Sequence, residues 1–246
     1  MLKLMEKNPV LHAVVWVVIY VALVNVGDAL SDMMKIAWLP TAVLLILLSF
    51  VLTGYLKHSK EGLGRLKLRG VSRQDSAQTL LYLPLIALAF IQFAAGPESS
   101  LSASDIAVIC LLMAGTGFVE ELLFRGLLFE GIRGKSGLNR AILISGVTFG
   151  LGHIVNLLRG YDAAQMAGQI VLAVVIGLVL ALLIALTKNL MPGILFHIIF
   201  NISGSVTNGA SASQTFIMIA VLAIALLYAA MLYSKLYKDA LRTAQA

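Results

Sequence analysis

The sequence predicts an all-α, polytopic integral membrane protein: a helical bundle of about eight transmembrane helices forming one membrane-embedded domain over residues 1–246, with both termini cytoplasmic. Three observations carry this expectation. The 246 residues are 60% hydrophobic and only 12% charged, which places them outside the composition of soluble domains. Apolar runs close to the ~20 residues that cross hydrocarbon recur along the chain. The 18 Lys and Arg residues fall almost entirely in alternate gaps between those runs, the asymmetry that orients a membrane protein.

The runs lie at 9–26, 37–56, 77–95, 104–131, 141–157, 165–187, 191–207 and 214–234. The first is as long as a full span, and no small-residue cleavage site closes it, so it is expected to be retained rather than removed as a signal peptide. Pro9, Pro40, Pro84 and Pro192 fall in or near first turns, where a missing amide donor costs little, and they punctuate the helices. The fourth run carries Glu120, Glu121 and Arg125, and the fifth carries Gly146, Gly150 and His153. The two glycines, four residues apart, would let a neighbouring helix approach closely. The seventh run carries His197 and Asn201.

With the N-terminus inside, the inner segments collect Lys3, Lys7, Lys57, Lys60, Arg65, Lys67, Arg69, Arg73, Arg133, Lys135, Arg140, Lys188, Lys235, Lys238 and Arg242. The outer segments hold Lys35 and Arg159. This asymmetry supports an even number of spans. It also explains the net charge of +6 without a nucleic-acid partner, because the basic residues follow topology rather than one soluble face. The basic segment from Lys57 to Arg73 reads as a cytoplasmic loop in preference to an amphipathic piece lying on the inner leaflet. Cys110 is the sole cysteine, so neither an intramolecular disulfide nor a thiolate metal cluster is available. His12, near an interface, and His58, in a loop, are given no role.

An ionisable group inside hydrocarbon is costly unless it is paired or faces a polar cavity, so it marks a functional site by default. At ~1.5 Å per residue, Glu120 lies about 16 Å above the inner end of its run and His153 about 18 Å above the start of the next, with His197 and Asn201 at about 9 and 15 Å. Three spans therefore converge on one polar cluster near mid-bilayer. Residues four apart share a helix face while adjacent ones diverge by about 100°. Glu121 is thus expected to face Arg125, with Glu120 turned elsewhere; left unpaired in an apolar cavity, Glu120 would resist ionisation, as suits a general base. Phe149 with His153, and His197 with Asn201, share faces by the same spacing. Each group has a plain reading as well: a structural ion pair for Glu121 and Arg125, interhelical hydrogen bonding for His153 or Asn201. Their joint occurrence at one depth favours an active site.

The ordered set Glu120-Glu121-Leu-Leu-Phe-Arg125, Phe149-Gly-Leu-Gly-His153 and His197-Ile-Ile-Phe-Asn201 resembles the EExxxR, FxxxH and HxxxN motifs of the CPBP family of intramembrane proteases, also called the CAAX-protease or Abi family, with 104–207 as the catalytic core. The resemblance implies an eight-helix endopeptidase. Eukaryotic relatives remove the last three residues of prenylated CAAX proteins, and bacterial ones are associated with bacteriocin maturation, self-immunity or regulated proteolysis. It implies a membrane-associated peptide or protein substrate and a bacterial-type inner or plasma membrane location. It further implies Glu120 as the base that activates water, His153 helping to hold that water, and Glu121 with Arg125 orienting the site or a substrate carboxylate. His197 and Asn201 would donate to the oxyanion. The cleavage site is expected near the inner leaflet side, in a cavity among spans four, five and seven.

Two mechanisms stay open. A glutamate-activated water needs no cofactor, whereas Glu120, His153 and His197 would suffice as a three-ligand zinc site with an open water position; the HExxH helix of common zinc proteases is absent. A serine or cysteine nucleophile fits less well, since Cys110 lies about 15 Å along the helix from Glu120 and Ser145 and Ser203 lack a base and orienter. The competing class is a non-catalytic membrane protein, such as a bacteriocin immunity factor or a proton-linked carrier, although the matched broken spans of carriers are not found.

Overall fold

The computed structural model describes residues 1–60, 64, 68, 80–154, 163–209 and 213–245. Arg65, Lys67, Arg69, Arg73 and Arg159 lie outside the described residues, as do most of the predicted 57–73 loop, the start of the 77–95 run and the end of the 141–157 run.

The regular structure among the described residues is all helical, apart from one isolated bridge between Pro97 and Thr207. A short α1 (Leu2–Lys7) precedes α2 (Pro9–Met34), which opens on Pro9 with the Asn8 side chain accepting from Leu11 N at 3.3 Å. Lys35 ends α2 in the left-handed conformation, and α3 (Leu39–Lys57) returns antiparallel. After a 3₁₀ turn, α4 (Leu83–Phe90) continues as a 3₁₀ segment through Ala95. α5 (Ala103–Glu121) starts at a capping box of Ser102 and Asp105, which satisfies two orphan amides. It runs without a break through a π-helical stretch, Leu122–Leu128, into α6 (Phe129–Ser136). Gly137, at φ 88°, makes the turn into α7 (Leu138–Gly152). α8 (Ala163–Thr187), α9 (Met191–Ser205) and α10 (Gln214–Gln245) complete the bundle.

Five helices are long and apolar enough to cross a membrane: Pro9–Met34, Leu39–Lys57, Ala103–Ser136, Met166–Thr187 and Gln214–Arg242. Three shorter apolar helices, Leu80–Ala95, Leu138–Gly152 and Met191–Ser205, occupy the remaining predicted runs. The molecule is thus a multi-pass integral membrane protein. Large apolar side chains on its outside, such as Phe50, Phe216 and Leu227, are more than 70% exposed, as lipid-facing positions should be when acyl chains rather than water surround them.

α8 is the central helix, with 67% of its apolar window buried against 28% for α2 and for α10. α7 reaches it through the predicted glycines. A Cβ built on Gly150 would lie 2.3 Å from Val174 Cγ2, and one on Gly177 of α8 would lie 2.7 Å from the Gly146 carbonyl oxygen. Close backbone approach substitutes here for the hydrophobic driving force that helices lack in lipid. His12, given no role from the sequence, is fully buried, with Nε2 accepting from Trp16 Nε1 at 3.1 Å and 2.8 Å from the Tyr55 hydroxyl. It belongs to an aromatic lock between α2 and α3.

Candidate active site

The site forms where α5 passes into the π-helical stretch. In a π turn the amide bonds five residues back, which redirects side chains and loosens one carbonyl from the ladder, an arrangement frequent at functional sites. Ser145 of α7 donates to the Phe124 carbonyl within this stretch at 2.9 Å, completely buried. Arg125, also in the π stretch, is 1% exposed. Its Nη1 donates to Glu121 Oε1 at 2.8 Å and its Nη2 to the Gly177 carbonyl of α8 at 3.2 Å. The guanidinium carbon sits 4.3 Å from the centre of the Phe149 ring, a desolvated cation–π contact. The expected facing of Glu121 and Arg125 is therefore present, made across a π turn rather than a regular α turn.

Phe149 is the hub of the site. Its ring meets those of Phe124, His153 and His197 edge to face, with centres 5.3, 5.5 and 5.5 Å apart. The imidazole of His197 bridges the two glutamates, with Nδ1 2.9 Å from Glu121 Oε1 and Nε2 3.3 Å from Glu120 Oε2. A neutral imidazole donates through only one nitrogen. With Nδ1 paired to Glu121, Nε2 is the ring nitrogen turned to Glu120. Glu121 and His197 are buried. Glu120 keeps 13% of its side chain exposed, against 1% for Glu121.

Glu120 differs from expectation in not being unpaired. Its Oε1 accepts a hydrogen bond from the Tyr20 hydroxyl of α2 at 2.5 Å, while Oε2 faces His197. Sequence reasoning missed Tyr20, because an aromatic residue in an apolar run carries no sign of a partner 100 residues away.

A cavity of about 920 Å³ opens beside Glu120. Glu120, His153 and Asn201 all line it, together with Tyr20, Thr116 and Phe149. His197 lies behind this wall, and His153 turns Nδ1 toward the Phe149 carbonyl, 3.3 Å away. Asn201 is held in place through its helix: Gln92 donates to the Phe200 carbonyl at 2.7 Å and to Ser203 Oγ at 2.9 Å. The cavity departs from expectation in its course. α2 and α3 form much of the wall, and it runs from Glu120 past Asp28 and Asp32 to Lys35 and Trp38 at the α2–α3 turn. From Tyr20 to Lys35 that is about 22 Å along α2. It thus extends toward the end of the bundle away from the N-terminus, not toward the predicted inner side.

The donors do not assemble as a metal centre. Among the described residues no three His, Cys, Asp or Glu side chains are disposed to hold a metal ion. His197 has both ring nitrogens against carboxylates, so the suggested set of Glu120, His153 and His197 does not fit without rearrangement.

Fold and site together define a multi-pass helical membrane protein that gathers paired carboxylates, an arginine and histidines beside a cavity. Residues 102–203 match the family model described as type II CAAX prenyl endopeptidase Rce1-like. That stretch is similar to the CAAX-protease family, and it includes every site residue anticipated from the sequence. Searches of curated proteins and of solved structures returned no match.

Proposed function

We propose that this protein is an intramembrane endopeptidase with eight spans and cytoplasmic termini, hydrolysing a peptide bond of a membrane-associated substrate by a glutamate-activated water. The observation that carries the reading is the unequal placing of adjacent glutamates: Glu121 is buried against Arg125 and His197, while Glu120 reaches the cavity wall. A carboxylate on a cavity wall can take a proton from water; one sealed in an ion-pair cluster cannot.

In this reading a water beside Glu120, steadied by His153, attacks the scissile carbonyl as its proton passes to Glu120. The carbonyl becomes tetrahedral and its oxygen gains charge. Asn201 donates its side-chain amide to that oxygen. His197, behind the wall, holds Glu120 from the side away from the cavity. Collapse breaks the C–N bond, and the proton on Glu120 goes to the departing amine. Glu121 and Arg125 act behind the wall: they fix His197 and, through Phe149, the helix that bears His153. Whether the substrate must carry a prenyl group, as a CAAX terminus would and a bacteriocin or signal peptide would not, is read from the substrate assay.

The test uses the full-length protein in detergent with a fluorogenic farnesylated peptide and its unprenylated counterpart, each with and without a strong chelator, beside Glu120→Gln. The expected result is chelator-resistant cleavage lost in Glu120→Gln. Full activity in that variant overturns the reading, and chelator-sensitive cleavage restored by zinc would replace the glutamate mechanism with metal chemistry.

A further inference from the structure

Glu120 is completed from outside the segment that matches the family model. Tyr20 lies on α2, and its hydroxyl donates to Glu120 Oε1 at 2.5 Å, the length of a charge-assisted O–H···O⁻ bond. Both residues line the cavity. Oε1 and Oε2 therefore have separate partners on opposite elements, the phenol on α2 and His197 on α9.

The helix that presents Tyr20 is fixed on both sides of it. Toward its start, a Cβ on Gly131 of α6 would lie 3.2 Å from the Pro9 carbonyl carbon, so α2 rests directly on the helix that follows the π stretch. Toward its end, a Cβ on Gly27 would lie 2.6 Å from Thr41 Cα, so α2 and α3 cross backbone to backbone. Between these points the His12, Trp16 and Tyr55 rings pack α2 to α3 again. Tyr20 thus projects from a segment with little freedom to shift, as holding a reactive group in one geometry requires.

We infer that Tyr20 is a positioning residue for Glu120, the donor from the first span that fixes the carboxylate's rotamer for accepting the proton of water. The inference rests on the protease reading above. It makes α2 part of the catalytic apparatus and not only a lipid-facing wall.

The test is Tyr20→Phe in the full-length protein, which removes one oxygen and keeps the ring, with kcat, KM and the pH–rate profile measured on the same fluorogenic peptide. Loss of a donor to the anionic base is expected to lower kcat about 10- to 100-fold with KM changed by less than about twofold, and to move the acid limb to higher pH. Incorporating 3-fluorotyrosine at position 20, a more acidic phenol of nearly the same shape, should move that limb the opposite way. It also keeps the test decisive if Tyr20→Phe fails to fold. An unmoved acid limb in these proteins, while Glu120→Gln still abolishes cleavage, overturns the role of Tyr20 alone. Cleavage that does not depend on Glu120 overturns the protease reading, and this inference with it.

Discussion

Glu120 and Glu121 are neighbours in the chain, yet they occupy two different environments. Glu121 is 1% exposed and bonded to Arg125 and His197, and the Arg125 guanidinium lies over the Phe149 ring. Glu120 stands at the wall of a large cavity, held by one phenol and one imidazole. The difference comes from the roughly 100° between successive helical residues, which turns one side chain into the bundle and the next toward the gap between α2 and α9. Chemical identity therefore says little about role. A buried ion pair is poor evidence for stability but is badly disturbed by losing one partner, whereas a carboxylate at a cavity can be altered with little structural consequence.

The sharpest way to break this comparison on its buried side is Arg125→Met. It leaves Glu121 inside the bundle without its cation and strips the Gly177 carbonyl of a donor. We expect about 3–5 kcal/mol of destabilisation, read as a large drop in thermal midpoint or loss of folded protein in detergent. A midpoint within a few degrees of the parent would show that the cluster is not the clamp described here.

A smaller effect is expected where α8 meets α7. Gly177→Ala places a methyl 2.7 Å from the Gly146 carbonyl oxygen, and backbone cannot yield as a flexible side chain would. The helices must separate, at about 1–3 kcal/mol, and the carbonyl that receives Arg125 moves with them. Thermal unfolding checks the cost, and cleavage should fall with it because the shift propagates into the buried cluster. Smaller again is Ser145→Ala, which removes one buried hydrogen bond to the Phe124 carbonyl. About 1 kcal/mol is expected, with the activity of the folded fraction little changed.

Much of this architecture was legible beforehand because hydrocarbon imposes few solutions. Each of the eight apolar runs coincides with an apolar helix, although only five are long enough by themselves to be assigned as spans. Gly146 and Gly150 announced the α7–α8 contact, since small residues at that spacing are how helices close in lipid. The pairing of Glu121 with Arg125 followed from their separation alone. The π stretch was not legible: Leu122–Leu128 reads as an ordinary amphiphilic turn, and the Phe124 carbonyl within it meets Ser145, a partner 21 residues away on another helix. Tyr20 was hidden for the same reason. The course of the cavity depends on how α2 and α3 cross at Gly27 and Thr41, which local periodicity does not encode. The packing of His12 against Trp16 and Tyr55 was likewise not legible, since it depends on how α2 meets α3.

The most direct test of the central claim exchanges the two neighbours one at a time. Glu120→Gln and Glu121→Gln are purified in the same detergent, and each is measured for peptide cleavage and for thermal midpoint. The account predicts that Glu120→Gln loses about 10²- to 10⁴-fold in kcat, the usual range for a general base, with its midpoint nearly unchanged, while Glu121→Gln lowers the midpoint markedly by leaving Arg125 buried without its counter-ion. Full activity in Glu120→Gln, together with a Glu121→Gln protein that is inactive yet as stable as the parent, would reverse the two roles and contradict it.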